Sequence, residues 1–86
     1  MNIYVGNLSL DVSEDDLVEL FSRYGQVKRA EIKREMFSGT SKGFGFVDMP
    51  GHRHSLTAIA GLNGKDLMGQ SLRVNEARER PQRRRR

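Results

Sequence analysis

The chain has 86 residues, no cysteine and a formal charge of +4, which leaves room for one small domain and excludes a disulfide framework or a thiolate metal cage. An apolar fraction of 36% can fill one two-layer core, which argues against a wholly disordered chain. No run approaches the ~20 apolar residues of a membrane span and no signal-peptide pattern is present, so no membrane partner and a reducing, cytoplasmic interior are expected.

The positive charge is unevenly placed. Residues 1–77 carry four Lys and five Arg against ten carboxylates, a net of −1. Residues 78–86 carry six Arg against one Glu, a net of +5. A folded body over 1–77 followed by a disordered arginine-rich tail over 78–86 suggests that the tail captures a polyanion while the body supplies selectivity.

Asn2 to Gly6 is short, rich in β-formers and bounded by Gly6-Asn7, which predicts a strand. Ser13 fits a helix N-cap, with Glu14, Asp15 and Asp16 capping free amides and complementing the helix dipole in the first turn. Leu17, Leu20, Phe21 and Tyr24 follow at helical spacing, and Gly25 suits a left-handed C-terminal position, so a helix over 14–24 is expected. From Val27 to Arg34, Ala30 and Ile32 alternate with Arg29, Glu31 and Lys33, the pattern of a half-buried strand. Ser38 to Ser41 marks a loop, Lys42 to Met49 a further strand, and Pro50-Gly51 its stop. The stretch from about His52 to Leu62 places Leu56, Ile59, Ala60 and Leu62 on one helical stripe. Leu72 and Val74 alternate with Arg73 and Asn75 in a last strand.

The order strand, helix, strand, strand, helix, strand predicts an α+β, ferredoxin-like βαββαβ sandwich. Right-handed crossovers put both helices on one face of a four-stranded antiparallel sheet and leave the other face open. Period-two alternation then turns Ile3, Val5, Gly45, Val47 and Met49 inward, and Tyr4, Lys42, Phe44, Phe46 and Asp48 outward. Three aromatic rings side by side on a solvated face oppose the hydrophobic effect unless something covers them. Flat rings interleaved with Arg29, Lys33, Lys42 and Arg73 suit unpaired bases, which stack at ~1–3 kcal/mol each. Gly43 and Gly45, lacking Cβ, leave room for close approach or tight helix packing.

Lys42-Gly43-Phe44-Gly45-Phe46-Val47-Asp48-Met49 closely resembles the longer ribonucleoprotein signature of the RNA recognition motif. Ile3 to Leu8 is similar to its shorter partner motif, and the resemblance spans residues 2–77. One such domain with a short basic tail resembles the small bacterial RNA-binding proteins of cyanobacterial type, on overall layout and on Leu62 to Lys65 and Val74 to Arg78. The resemblance implies a single-stranded RNA-binding module in which Tyr4 and Phe44 each stack a base and Phe46 lies against bases or ribose. It further implies phosphate contact by Lys42, and base-edge hydrogen bonds from Arg73, Asn75 and the main chain of 76–78. Arg29 and Lys33 complete the expected RNA-binding set. Met49 departs from the signature, where an aromatic is usual; a flexible thioether facing inward can fill that gap. Met36-Phe37 departs too, in a loop that is usually polar. Either its side chains fold back over the sheet edge or Phe37 clamps a further base or a partner.

Other readings have specific costs. His52 and His54 are two apart, which does not bring two ligands together on a helix face, so neither a metal nor any other cofactor is expected. Asp11, Ser13 and Asp15 resemble a calcium loop, but Asp16 stands where glycine is required. Small acyl-phosphate hydrolases share the layout but hold phosphate with an Arg in the first loop, whereas Gly6 to Leu10 carries no cation, so an enzyme is not expected. Single-stranded DNA is an alternative ligand, because stacking needs no 2′-hydroxyl. Protein binding through the sheet face is another alternative, and a monomer is expected.

Overall fold

In a computed structural model, which describes residues 1–77, the elements are β1 (Asn2–Gly6), α1 (Glu14–Ser22), β2 (Arg29–Arg34), β3 (Ser41–Asp48), α2 (His52–Leu62), β4 (Asp66–Leu67), β5 (Gln70–Ser71) and β6 (Arg73–Glu76). The tail assigned to 78–86 lies outside the described residues. The main sheet runs β2-β3-β1-β6, all antiparallel, with a separate two-stranded ribbon from β4 and β5. This is the expected ferredoxin-like sandwich. α1 packs against β2 and β3, and α2 against β6.

Alternation decides what the sheet buries. Ile3 and Val5 of β1, Val47 of β3, Val74 of β6 and the adjoining Met49 and Leu72 meet Leu17 and Phe21 of α1 and Leu62 of α2 in one core. Burying each such large side chain contributes roughly 1.5–3 kcal/mol. Met49 is wholly buried, as an inward thioether filling the place of an aromatic should be.

Three local expectations are corrected. α1 ends at Ser22 rather than at residue 24, closing with the Tyr24 N–H on the Phe21 carbonyl at 2.9 Å. Gly25 is not among the glycines of positive φ. It serves close approach instead, because a Cβ there would lie 2.6 Å from the His54 Cβ. On α2 the buried residues are Ser55, Ala58 and Leu62, with Ile59 half-buried, while Leu56 and Ala60 are exposed. The stripe runs through a serine because Ser55 Oγ donates to the carbonyls of Gly51 (2.7 Å) and Met49 (3.2 Å), which satisfies a polar group in the core.

The ribbon of β4 and β5 was not foreseen. Its two-residue turn, Met68-Gly69, takes φ of 52° and 85°, the left-handed pair that a tight hairpin turn demands. A methionine in that conformation is uncommon, so residue types gave little warning.

Helix α1 begins as the capping residues predict. Ser13 Oγ accepts from the Asp16 N–H (3.3 Å) and Asp16 Oδ2 from the Ser13 N–H (2.9 Å), a reciprocal capping box. Glu14 reaches farther than a dipole argument suggests. Its carboxylate accepts from Arg34 Nη2 at 2.7 Å and from the Ile32 N–H at 3.3 Å. It thus occupies an amide on the free edge of β2, a position that otherwise invites strand pairing. Partial burial pushes the Glu14 carboxyl up, but its own backbone amide, the Ile32 amide and the Arg34 guanidinium outweigh this and hold it below its ordinary value.

A depressed carboxyl stabilises the fold above the unfolded-state pKa, and that stabilisation is lost as pH falls through the folded-state pKa. Glu14→Gln should therefore be less stable than the parent at neutral pH, with the gap closing on acidification as the parent's own Glu14 takes up a proton. Denaturant unfolding at neutral and acid pH checks this. A gap that persists unchanged into acid contradicts the edge contact.

Candidate nucleic-acid interface

The sheet face away from the helices is built by cross-strand register. Tyr4 of β1 lies opposite Phe46 of β3 on one side and Asn75 of β6 on the other, and Phe46 lies opposite Glu31 of β2. Glu31, Phe46, Tyr4 and Asn75 therefore form one row across the sheet. Directly opposed residues share a face. A second row holds Arg29 and Asn2, both opposite Asp48. Beyond the first row on the other side lie Lys33, Phe44, Gly6 and Arg73, with Arg73 opposite Gly6.

The three rings touch as a triangle. Tyr4 and Phe44 are 6.0 Å apart and tilted by 31°, Tyr4 and Phe46 are 5.9 Å apart at 65°, and Phe44 and Phe46 are 6.1 Å apart at 90°. These separations are those of mutually attractive edge-to-face and offset rings. All three remain partly exposed on a strand surface whose opposite side is fully buried. Their being a wet cluster rather than a covered core is what the alternation demanded.

Two glycines seat the triangle. A Cβ on Gly6 would run into the Tyr4 ring, with Cε2 and Cζ only 2.8 Å away. The ring thus lies flat along its own strand over a residue with no side chain. A Cβ on Gly45 would collide with the Glu31 carbonyl and stand 3.0 Å from the Ile32 Cα, so the absent side chain admits the β2 backbone rather than a helix. Gly43 has a different task, with φ of 86°. Between the pairs Ile32–Gly45 and Arg34–Ser41, β2 advances two residues while β3 covers four, and Gly43 sits in that irregularity. The two extra residues preserve side-chain parity, so exposed Lys42 remains on the face of Phe44 while Ser41 is buried.

The structure brings the candidate cations around the rings. Lys33 Nζ stands 5.8 Å from the Phe46 centroid, within cation–π range. Arg29, Lys42 and Arg73 are exposed at the edges of the triangle, and Asn75 is exposed beside Tyr4. Arg29, farthest from Phe44, shares its row with Asp48. The face thus carries Arg29, Lys33, Lys42 and Arg73 against Glu31 and Asp48, a side-chain charge of +2, on a body of residues 1–77 whose net is −1. The remainder of that body is therefore at −3. Positive charge is segregated onto the ring face.

Some features were missed or misjudged from the sequence. Asn2 joins the face by the same parity as Tyr4, a signal present in the strand but unused. The seat that Gly6 provides for Tyr4 has no signature in periodicity. Met36 and Phe37 do not fold back over the sheet edge. They are 87% and 99% exposed, at the tip of a loop closed by the Glu35 N–H on the Thr40 carbonyl (2.8 Å) and the Gly39 N–H on the Glu35 carbonyl (2.9 Å). That short hydrogen-bonded turn is too tight for its tip to reach back to the sheet. His52 and His54 are exposed on the first turn of α2.

Comparison with known proteins converges on one family. The RNA recognition motif model matches residues 3–73. RbpA of Synechocystis sp. is 46% identical over 83 residues, which cover 96% of this chain and 82% of that protein. A chloroplastic 28 kDa ribonucleoprotein of Spinacia oleracea is 46% identical over 94% of this chain and 35% of its own length. Among solved structures, the crystal structure of RNA-binding protein PG1 superposes with a TM-score of 0.90 at 44% identity, covering 95% of this chain and 99% of that one. The Sex-lethal protein in complex with RNA superposes with a TM-score of 0.89 at 32% identity, covering 94% of this chain and 48% of that one. With its two signature strands side by side at the centre of the sheet, the chain belongs to the RNA recognition motif family.

Proposed function

We propose that the chain binds single-stranded RNA on the outer face of the β2-β3-β1-β6 sheet and performs no catalysis there. The observation that carries this reading is the ring triangle of Tyr4, Phe44 and Phe46, partly exposed and about one ring-width apart. Such a cluster is costly in water and gains ~1–3 kcal/mol for each base that stacks on it. Tyr4 and Phe44 each take a base, and Phe46 lies against a base or ribose. Lys42 and Arg29 meet phosphates, Lys33 contacts the RNA from beside Phe46, and Arg73 and Asn75 donate to base edges. One domain of this size contacts ~2–4 nucleotides with modest specificity. The exposure of Phe37 is compatible with its clamping a further base or a partner.

The similarity to a chain solved with RNA bound supports the assignment, as does the positive charge of the ring face. Against an enzyme stands the loop Gly6 to Leu10, which carries no cation; Asn7 there is committed to the Ser71 carbonyl at 2.6 Å. The arginine-rich tail over 78–86 adds sequence-independent attraction to phosphate. Post-transcriptional regulation or RNA chaperoning is the role such binding serves.

Tyr4→Ala or Phe44→Ala should weaken RNA binding by ~1–3 kcal/mol while leaving unfolding midpoints near those of the parent, since neither ring belongs to the core. Titration with random RNA and DNA pools at two salt concentrations measures this and separates the two polymers. Full affinity in both variants contradicts the stacking role, and preferential capture of DNA makes that the ligand. Removing residues 78–86 should weaken binding to all sequences alike and flatten its salt dependence. A changed sequence preference on tail removal contradicts this division of labour.

A further inference from the structure

Two carboxylates stand on a face otherwise suited to phosphate. Asp48 lies 3.7 Å from the N-terminal ammonium, and Glu31 stands beside the rings. It lies directly opposite Phe46 in the register of β2 and β3. Its Oε2 stands 3.4 Å from Lys33 Nζ, and the two side chains are 56% and 43% exposed. The same Nζ hangs 5.8 Å from the Phe46 centroid. The missing side chain of Gly45 leaves room for the Glu31 backbone against β3. A base stacked on Phe46 with its edge turned toward β2 therefore meets an anionic acceptor and a cationic donor side by side.

The four bases answer that pair differently. A carboxylate accepts two parallel N–H groups best. The Watson–Crick edge of guanine offers two in a row, N1–H and the exocyclic amine, with O6 alongside for an ammonium. Adenine and cytosine put a ring-nitrogen acceptor beside their single amino group, and that lone pair repels a carboxylate. Uracil flanks its single N–H with two carbonyls, which do the same. Only guanine has the donor–donor–acceptor order that Glu31 followed by Lys33 can satisfy.

We propose that Glu31 and Lys33 make the Phe46 position a guanine-selective subsite. The proposal rests on the RNA-binding reading above and adds to it the base that one ring takes. It explains why Glu31 stands among cations on a face otherwise suited to phosphate: the carboxylate sacrifices some general affinity for discrimination.

The test uses the full chain and short oligouridines carrying one central guanosine, inosine, adenosine or cytidine. Inosine keeps N1–H and O6 and lacks only the exocyclic amine. The parent should bind the guanosine oligomer about tenfold more tightly than the inosine one. Glu31→Gln, at an exposed position where folding can be confirmed by circular dichroism, should bind the two within about twofold of each other. Equal binding of guanosine and inosine by the parent overturns the subsite, as does discrimination that survives in Glu31→Gln. A Glu31→Gln variant that binds every oligomer more tightly by the same factor also overturns it, because Glu31 would then act only as a repelling charge. Failure of the parent to bind any oligomer overturns the RNA-binding reading itself, a result distinct from binding without discrimination.

Discussion

Successive side chains of a strand point to opposite faces, and in this protein that single constraint decides what is core and what is left to meet a ligand. Ile3 and Val5 must go under the helices for β1 to bury anything, so Tyr4 between them cannot. Val47 and Met49 impose the same choice on β3 and push Phe46 and Asp48 outward. A slip of one residue in either strand would exchange a buried face for a wet one along its whole length. The exposure of the rings is thus held in place by the stability of the core behind them. The glycines refine this without creating it: Gly6 lets Tyr4 lie flat, and Gly45 leaves room for the β2 backbone.

Charge follows the same division. Residues 1–77 are nearly neutral as a whole, yet the ring face is positive and the rest of the body negative. The helix side carries the capping carboxylates Glu14, Asp15 and Asp16, which serve α1 and the free edge of β2. Acidic residues needed for folding are thereby kept away from a phosphate-binding surface. Two carboxylates remain on that surface: Asp48 lies 3.7 Å from the N-terminal ammonium, whereas Glu31 stands beside the rings, 3.4 Å from Lys33 Nζ.

Much of this was legible in residue order. The three long strands, the capped start of α1, the sheet order and the outward rings all follow from alternation, helical spacing and turn residues. What could not be read was set by tertiary contact. Gly25 looks like a helix terminator, but its reason is the approach of His54. Leu56 looks like core, but the inner stripe of α2 runs through Ser55, whose hydroxyl is satisfied by two carbonyls that no periodicity reveals. The β4–β5 ribbon hides behind a methionine in a left-handed turn. At the site itself, the identities of Tyr4, Lys42, Phe44 and Phe46 were visible early, whereas the pairing of Glu31 with Lys33 over Phe46 needed the register between β2 and β3.

The most direct trial of this account is nuclear magnetic resonance of the protein titrated with single-stranded RNA, following the ring protons of Tyr4, Phe44 and Phe46. Base stacking requires upfield ring-current shifts at those protons and cross-peaks from them to nucleobase protons, with the helix side little changed. Rings that keep their free-state signals while α1 and α2 carry the perturbations would contradict it.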